Sequence, residues 1–291
     1  MTPSGPGLPE LRHTKKRVVL GDIALYAEAY LPVQASKAAP VLLLSAAEEP
    51  SIRWSETLRR GLALRTGGTI WFDTRDCGRS SWVDEPYQLD DLAGDAVAVL
   101  DAFGVERAHV LGRSMGGEVA QRLGLSHGDR VESLMLLSTT PGHGADLASP
   151  AQWLIEKMSE RLFADVPVDS DERAEWLVDQ QEWFAGPVFG FDREAALEVA
   201  RQEVDSFWRG PNLHGHAVVE AADLRPQLAT LSVPTMIIHG TADPVYPVEH
   251  AQALADLIPG ARLILIEGLG HLLPEGFVPD LLDLVFPADD R

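Results

Sequence analysis

Short apolar segments alternate with amphipathic segments along most of the chain. Between residues 41 and 139, four apolar runs of strand length are separated by three segments with apolar residues at helical spacing. The predicted strands cover residues 41–45, 69–73, 108–112 and 131–139. The predicted helices cover residues 54–64, 89–103 and 115–125. This β-α alternation predicts a parallel sheet with helices on both faces.

The same alternation returns in the last quarter of the chain. Two further strands are predicted at residues 234–240 and 261–267, and two further helices at residues 248–258 and 274–284. Nearer the amino terminus, residues 18–31 form two β-like segments around Gly21-Asp22, which predicts an antiparallel hairpin. The fold class is therefore predicted to be α/β, with a mostly parallel central sheet.

Residues 141–216 interrupt this rhythm, because they are helix-like and hold no clear strand. We predict a helical cap of residues 142–216, inserted into a core of residues 17–141 and 217–291, with residues 1–16 as a flexible arm. The aromatic residues of the cap either build its own small core or line a substrate pocket. The candidates for such a pocket are Trp153, Trp183, Phe207 and Trp208.

Acidic side chains outnumber basic ones, and this balance narrows the range of partners. The chain has 44 Asp and Glu against 24 Lys and Arg, a formal net charge of −20. Such a surface repels nucleic acid and anionic membranes, so a small-molecule substrate is the expected partner. The single cysteine, Cys77, excludes an intramolecular disulfide, and the sequence shows no secretory signal or apolar run of membrane length. We therefore expect a cytoplasmic protein.

No metal-ligand motif and no phosphate-binding loop stands in the sequence, so neither a metal nor a cofactor is predicted. Residues 112–116 instead read G-R-S-M-G, which fits the pattern G-x-S-x-G between a predicted strand and a predicted helix. Glycines on both sides allow a strained turn that exposes a serine hydroxyl above the sheet edge. The amide groups that begin the following helix would stabilise a developing oxyanion there. We predict that Ser114 is a nucleophile, and the alternative is an ordinary helix N-cap serine.

A serine hydroxyl needs a base and an orienting carboxylate before it can attack a carbonyl carbon. In this architecture the acid and then the histidine follow the serine, on loops at the carboxyl ends of later strands. Asp243 follows the strand predicted to end at residue 240, and His271 follows the strand predicted to end at residue 267. The loop after residue 139 offers no carboxylate before Asp146, so Asp243 is preferred. The alternatives are a turn-forming aspartate and a surface histidine.

Ser114, Asp243 and His271, in this order on this alternation, resemble the α/β-hydrolase fold from about residue 18 onward. The stretches F-D-T-R-D-C-G-R-S and S-V-P-T-M-I-I-H-G-T-A-D-P-V-Y-P are similar to the group that contains aclacinomycin methylesterase, cofactor-free haloperoxidases and perhydrolases. The resemblance implies a serine hydrolase that acts on a small or medium ester, often in secondary metabolism.

The region of the oxyanion hole departs from the pattern of this family. Family members usually carry H-G-x after the first parallel strand, whereas this chain reads S-A-A-E-E-P from Ser45. By position, the backbone N–H of Ala47 would act together with that of Met115. Glu48 and Glu49 follow at once, and an anion there would oppose the charge to be stabilised. We expect both carboxylates to point to solvent; alternatively, one faces the pocket and binds a cationic group or acts as an additional acid or base.

The leading hypothesis is carboxylic-ester hydrolysis through an acyl-enzyme, with a methyl ester or a lactone of a secondary metabolite as the substrate. The same three residues could instead support perhydrolysis, C–C bond hydrolysis or a non-hydrolytic lyase or cyclase step. A ligand-binding protein that has lost turnover is the alternative from another class. The missing H-G favours that alternative, and the intact order of serine, acid and histidine opposes it.

Overall fold

The computed structural model describes residues 9–34, 36–144, 146–210 and 212–287. The strands are β1 (Leu11–Leu20), β2 (Ile23–Pro32), β3 (Val41–Leu44), β4 (Thr69–Phe72), β5 (Ala108–Arg113), β6 (Val131–Leu137), β7 (Thr235–Gly240) and β8 (Arg262–Ile266). The α-helices are α1 (Glu56–Ala63), α2 (Leu89–Phe103), α3 (Met115–Ser126), α4 (Gln152–Leu162), α5 (Ser170–Trp183), α6 (Arg193–Ser206), α7 (His214–Val219), α8 (Arg225–Leu228), α9 (Val248–Leu257) and α10 (Val278–Val285). None of these helices is both long and apolar enough to cross a membrane.

The strands form one sheet in the order β1-β2-β4-β3-β5-β6-β7-β8. The pairs β1–β2 and β2–β4 are antiparallel, and the remaining pairs are parallel, which confirms the predicted α/β fold. Along β3, Leu42 and Leu44 pack in the core under α2, α3 and α9, whereas Val41 and Leu43 pack in the core under α1 and α10. Because the central strands are parallel, their carboxyl ends meet at one edge of the sheet, where ligands bind in such folds.

The prediction of a flexible arm is wrong for part of the amino-terminal region. Residues 11–16, expected to belong to a flexible arm, lie in β1 and pair with β2 from Leu11 opposite Pro32 onward. β1 is an edge strand, and most of its side chains in this part are exposed or charged. Exposed charges protect an edge strand from aggregation, but in a sequence they look like an unstructured segment. Residues 1–8 of the predicted arm lie outside the described residues.

Between β6 and β7, the described part of the chain forms helices and no strand. This is the region predicted as a cap of residues 142–216, although α7 continues beyond the predicted end. On the core side, Arg53 Nη2 lies 2.8 Å from a carboxylate oxygen of Glu203 in α6, and this ion pair fastens the helices to the loop after β3. The small apolar core shared by α5 and α6 consists of Ala174, Leu177, Val178, Ala200 and Val204.

Candidate active site

Ser114 lies on a sharp turn between β5 and α3. Its φ is 54° and its ψ is −122°, a conformation that costs a residue with a side chain about 1–3 kcal/mol. A Cβ atom on Gly112 would lie 2.2 Å from the carbonyl oxygen of Gly116, so the turn has no room for a side chain there. The Ser114 hydroxyl makes no capping hydrogen bond to α3. The turn therefore presents this hydroxyl at the edge of the sheet instead of using it to start the helix.

The structure brings together the three residues predicted to form a proton relay. Ser114 Oγ lies 3.0 Å from His271 Nε2. His271 Nδ1 lies 2.8 Å from Asp243 Oδ2. The three residues follow β5, β7 and β8, so the parallel arrangement of these strands is what carries their loops to the same edge. Both distances are those of normal hydrogen bonds.

Asp243 is buried, and both of its carboxylate oxygens are engaged. Oδ1 accepts hydrogen bonds from the backbone N–H groups of Val245 and Tyr246, at 2.8 and 2.9 Å. Burial raises the pKa of Asp243, but the charge and hydrogen bond of His271, helped by His239 and the Tyr246 amide, bring that pKa below its ordinary value. An ionised carboxylate at this position holds the imidazole with Nδ1 protonated, which leaves Nε2 free to accept a proton from the serine.

The backbone of His271 is held by the sheet and by the segment after α5. Its N–H donates to the carbonyl oxygen of Phe184 at 2.8 Å. Its own carbonyl oxygen accepts a hydrogen bond from Arg113 Nη1 at 3.3 Å. The rings of Phe184 and Tyr246 meet the imidazole edge-on, with centroids 5.8 and 5.6 Å away. Arg113 and Phe184 were missed from the sequence, where the only signal is the place of Arg113 inside G-x-S-x-G.

The amide groups predicted to form an oxyanion hole are both available. Within the described ranges, neither Ala47 N–H nor Met115 N–H has a hydrogen-bond partner. A Cβ atom on Gly116 would lie 2.1 Å from the carbonyl oxygen of Leu44, so the start of α3 packs directly against the end of β3. This close approach brings the loop that holds Ala47 next to the turn that holds Ser114. Two unused N–H groups in this region are suited to stabilise a developing oxyanion.

Glu48 and Glu49 take different directions, and the expectation that both carboxylates point to solvent is wrong. Glu49 forms ion pairs with Arg113 and, at 3.9 Å, with Arg53. Burial raises the pKa of Glu49, but these two guanidinium groups bring it below its ordinary value, so the carboxylate is ionised. Glu48 has a φ of 62°, donates its N–H to His214 Nδ1 at 2.9 Å and lines a cavity. Glu48 therefore lines one cavity and Glu49 lines another, so the alternative in which a single carboxylate faces a pocket describes only part of the arrangement.

The cavity that Glu48 lines has a volume of about 290 Å³ and lies between the loop after β3 and the helices that follow β6. Of the four aromatic residues predicted as candidates for a substrate pocket, Phe207 and Trp208 line this cavity. Trp153 and Trp183 do not line it. Trp153 is 47% exposed, and Trp183 lies beside a guanidinium on α4. Which face of each helix turns inward depends on packing between helices, so Arg161 of α4 and Trp176 of α5 were missed as lining residues. Trp82, in the loop between β4 and α2, was missed as well.

A second cavity, of about 700 Å³, is lined in part by Glu49, Arg53 and Arg113. These charges neutralise one another and Glu203, because Glu49 pairs with both arginines and Arg53 also pairs with Glu203. Among the residues that the structure describes, no group of three or more His, Cys, Asp or Glu is placed to hold a metal ion. In the part of the chain that the structure describes, Glu48 of the first cavity has no ion-pair partner, whereas Glu49, Arg53 and Arg113 of the second cavity are paired.

Comparison with known proteins identifies the class to which this fold and site belong. The sequence profile of the alpha/beta hydrolase fold family matches residues 40–276, and the chain belongs to this family. Rhodomycin D methylesterase DauP of Streptomyces sp. (strain C5) is 32% identical to it over 261 residues, which cover 81% of this chain and 86% of that protein. A non-heme chloroperoxidase of Streptomyces lividans is 29% identical, over 74% of this chain and 80% of that protein.

A solved structure agrees with this assignment. A hydrolase from Pseudomonas aeruginosa PA01 is 28% identical to the chain and superimposes with a TM-score of 0.68, covering 93% of this chain and 98% of that chain. The resemblance seen in the sequence, to the α/β-hydrolase fold and to its methylesterase and haloperoxidase group, is confirmed.

Proposed function

We propose that the protein is a serine esterase that cleaves a carboxylic ester through an acyl-enzyme. The observation that carries the proposal is the relay of Ser114, His271 and Asp243, whose two hydrogen bonds measure 3.0 and 2.8 Å. A hydroxyl, an imidazole and an ionised carboxylate in this order form a nucleophile, its base and the group that orients the base. Membership of the family and relatives that are named methylesterases support the same chemistry.

Each step uses groups of this chain. Ser114 Oγ attacks the ester carbonyl carbon while His271 Nε2 takes the hydroxyl proton, and Asp243 stabilises the resulting imidazolium. The N–H groups of Ala47 and Met115 stabilise the tetrahedral oxyanion. The imidazolium then gives its proton to the departing alcohol, which leaves Ser114 acylated. Finally, water that loses its proton to the same imidazole attacks the acyl carbon, releases the acid and restores the serine.

The proposed substrate is a small molecule, a methyl ester whose acid part contains a ring. Glu48, the residue after Ala47, links the proposed oxyanion hole to the cavity of about 290 Å³. The walls of that cavity contain the indoles of Trp82, Trp176 and Trp208, and aromatic walls are typical of sites that bind ring systems. The chain's single cysteine is a buried free thiol, which supports a location in the reducing cytoplasm.

Steady-state hydrolysis of aromatic methyl esters tests the proposal. We expect the wild-type protein to release methanol, and Ser114→Ala or His271→Ala to lower kcat by at least about 10,000-fold. The double variant should be no slower than either single one, because the two residues act as a unit. Ser126→Ala, which alters an exposed serine at the end of α3, is the matched control and should keep the wild-type rate. Turnover that survives Ser114→Ala would contradict the proposal.

A further inference from the structure

A guanidinium in the Glu48 cavity is left without a hydrogen-bond acceptor. The Arg161 side chain, at the end of α4, lies over the Trp176 ring with Cζ 3.1 Å from the ring centroid. Within the described residues this side chain makes no hydrogen bond or ion pair, and its Nη2 atom is fully buried. Burial lowers the pKa of Arg161 to about 10. Because buried charges in proteins are normally paired, these unused donors point to a partner that arrives with a ligand.

The carboxylates of the cavity do not supply that partner. Glu48 is the charge that attracts Arg161 most, yet the two side chains form no ion pair, and Glu48 stays exposed to the space of the cavity. Its backbone is held in place by the hydrogen bond to His214 Nδ1 at 2.9 Å. Glu203, the other carboxylate of the wall, is bound by Arg53 at 2.8 Å. The guanidinium of Arg161 and the carboxylate of Glu48 therefore both line the cavity without forming an ion pair with each other.

We propose that this cavity binds the ring of the substrate, and that Arg161 selects substrates with an acidic oxygen, a carboxylate or a phenolate, away from the ester. This inference rests on the proposed esterase function, since Glu48 follows Ala47 and so marks the end of the cavity where the ester lies. Arg161, from α4, lines the same cavity and forms no ion pair with Glu48 among the described residues. Aromatic side chains provide the surface for the ring: Trp82, Trp176, Phe207 and Trp208.

Stacking on an indole prepares Arg161 for this role. A guanidinium is a planar fork that matches a carboxylate, and the Trp176 ring, with its centroid 3.1 Å from Cζ, limits the movement of this group before a ligand arrives. The Trp183 ring, 5.6 Å away, adds a second aromatic neighbour. Less conformational freedom is then lost on binding, and hydrogen bonds between a cation and an anion are the strongest of their kind. Arg161 is thereby a specificity-determining residue rather than a member of the relay.

Calorimetric binding to the Ser114→Ala protein tests the inference without turnover. The probe is the monomethyl ester of a naphthalene dicarboxylic acid, and its neutral partner carries a carboxamide in place of the free carboxylate. We expect the carboxylate to bind about 10- to 100-fold more tightly than the carboxamide, as charge-assisted hydrogen bonds allow. Arg161→Gln in the same background should remove this preference.

Arg173→Gln is the matched control and should keep the preference. Arg173 also stacks on an indole, that of Trp208 at 4.6 Å, but its guanidinium donates to the carbonyl oxygens of Pro167 and Val168. Failure of the carboxylate probe to bind, equal binding of the two probes, or a preference that survives Arg161→Gln overturns the inference. An equal loss in Arg173→Gln also overturns it, because the effect would then be a general disturbance of the helices.

The two proposals fail in different ways. An Arg161-dependent preference for the carboxylate, in a protein whose turnover does not need Ser114, would support the binding site and remove only the esterase mechanism. Ser114-dependent ester hydrolysis without any preference for the carboxylate would support the esterase mechanism and remove only the proposed role of Arg161.

Discussion

Asp243 shows how much of the site depends on the two oxygens of one side chain. Oδ2 lies 2.8 Å from His271 Nδ1, and Oδ1 accepts the Val245 N–H at 2.8 Å. We expect Asp243→Asn to lower kcat about 10,000-fold with little change in KM, because an amide no longer stabilises the imidazolium or the right tautomer. Steady-state kinetics with a methyl ester measure the loss.

Asp146→Asn is the control for this prediction. Asp146 is the first carboxylate after β6, the other place where an acid could stand, and it pairs with Arg225 at 2.7 Å on the surface. We expect its replacement to leave the rate unchanged. A large loss of activity in Asp146→Asn and none in Asp243→Asn would show that Asp146, and not Asp243, is the acid of the relay.

Single residues also show which parts of the site a sequence reveals. Ser114, Asp243 and His271 could be predicted, because each stands at a fixed place after a strand and topology alone brings such places together. The inward turn of Glu49 could not be predicted, because it depends on Arg113, which is 64 positions away in the chain. Arg161 was missed for the same reason, since its environment is made by helices that pack only in the folded protein.

The helix α2 offers a test of local physics at the scale of elements. Gly94 lies inside α2, and nothing lies within 4 Å of the place where its Cβ would be. We expect Gly94→Ala to raise the free energy of unfolding by about 0.5–1 kcal/mol, because alanine loses less backbone entropy in a helix. Urea denaturation measures the change.

Gly116→Ala is the contrast at the other kind of position. Its Cβ would lie 2.1 Å from the Leu44 carbonyl oxygen, so we expect a clear loss of stability where Gly94→Ala brings a gain. A destabilising effect of Gly94→Ala would contradict the account, because it would mean that the position of the Gly94 Cβ is not open.

Elements follow the sequence closely where their apolar pattern is set by burial against the sheet. The strands β3 to β8 and the helix α2 lie where periodicity predicts them. β1 was partly misread, because an edge strand has little burial and its charged side chains hide its period. The inner faces of the helices after β6 were misread too, because those helices pack on one another as well as on the sheet.

For the whole molecule, buried histidines predict how stability changes with pH. Burial lowers the pKa of His214 below its ordinary value of 6.5, so the folded protein keeps the ring neutral. The unfolded chain takes up a proton at this ring as the pH falls below about 6.5, and the folded chain does not. The free energy of unfolding therefore decreases as the pH is lowered through this range. We expect the Tm of His214→Gln to fall less than that of the wild type between about pH 7.5 and about pH 5.5.

His143 gives the opposite sign and serves as the comparison. The hydrogen bond to Glu118 raises the pKa of His143, so its contribution to stability is fully present below about pH 6.5 and is lost as pH rises through the higher folded value. His143→Gln should therefore make the loss of Tm on acidification steeper than in the wild type. Equal pH slopes for the two variants would contradict this account of their surroundings.

The claim on which the account depends is that Ser114 is an activated nucleophile. The most direct measurement is intact-protein mass spectrometry after treatment with a fluorophosphonate, followed by mapping of the modified peptide. We expect one adduct per chain, on Ser114, and none in Ser114→Ala. His271→Ala should label far more slowly, because the hydroxyl then has no base. A wild-type protein that stays unlabelled, or one labelled at another serine, would contradict the account.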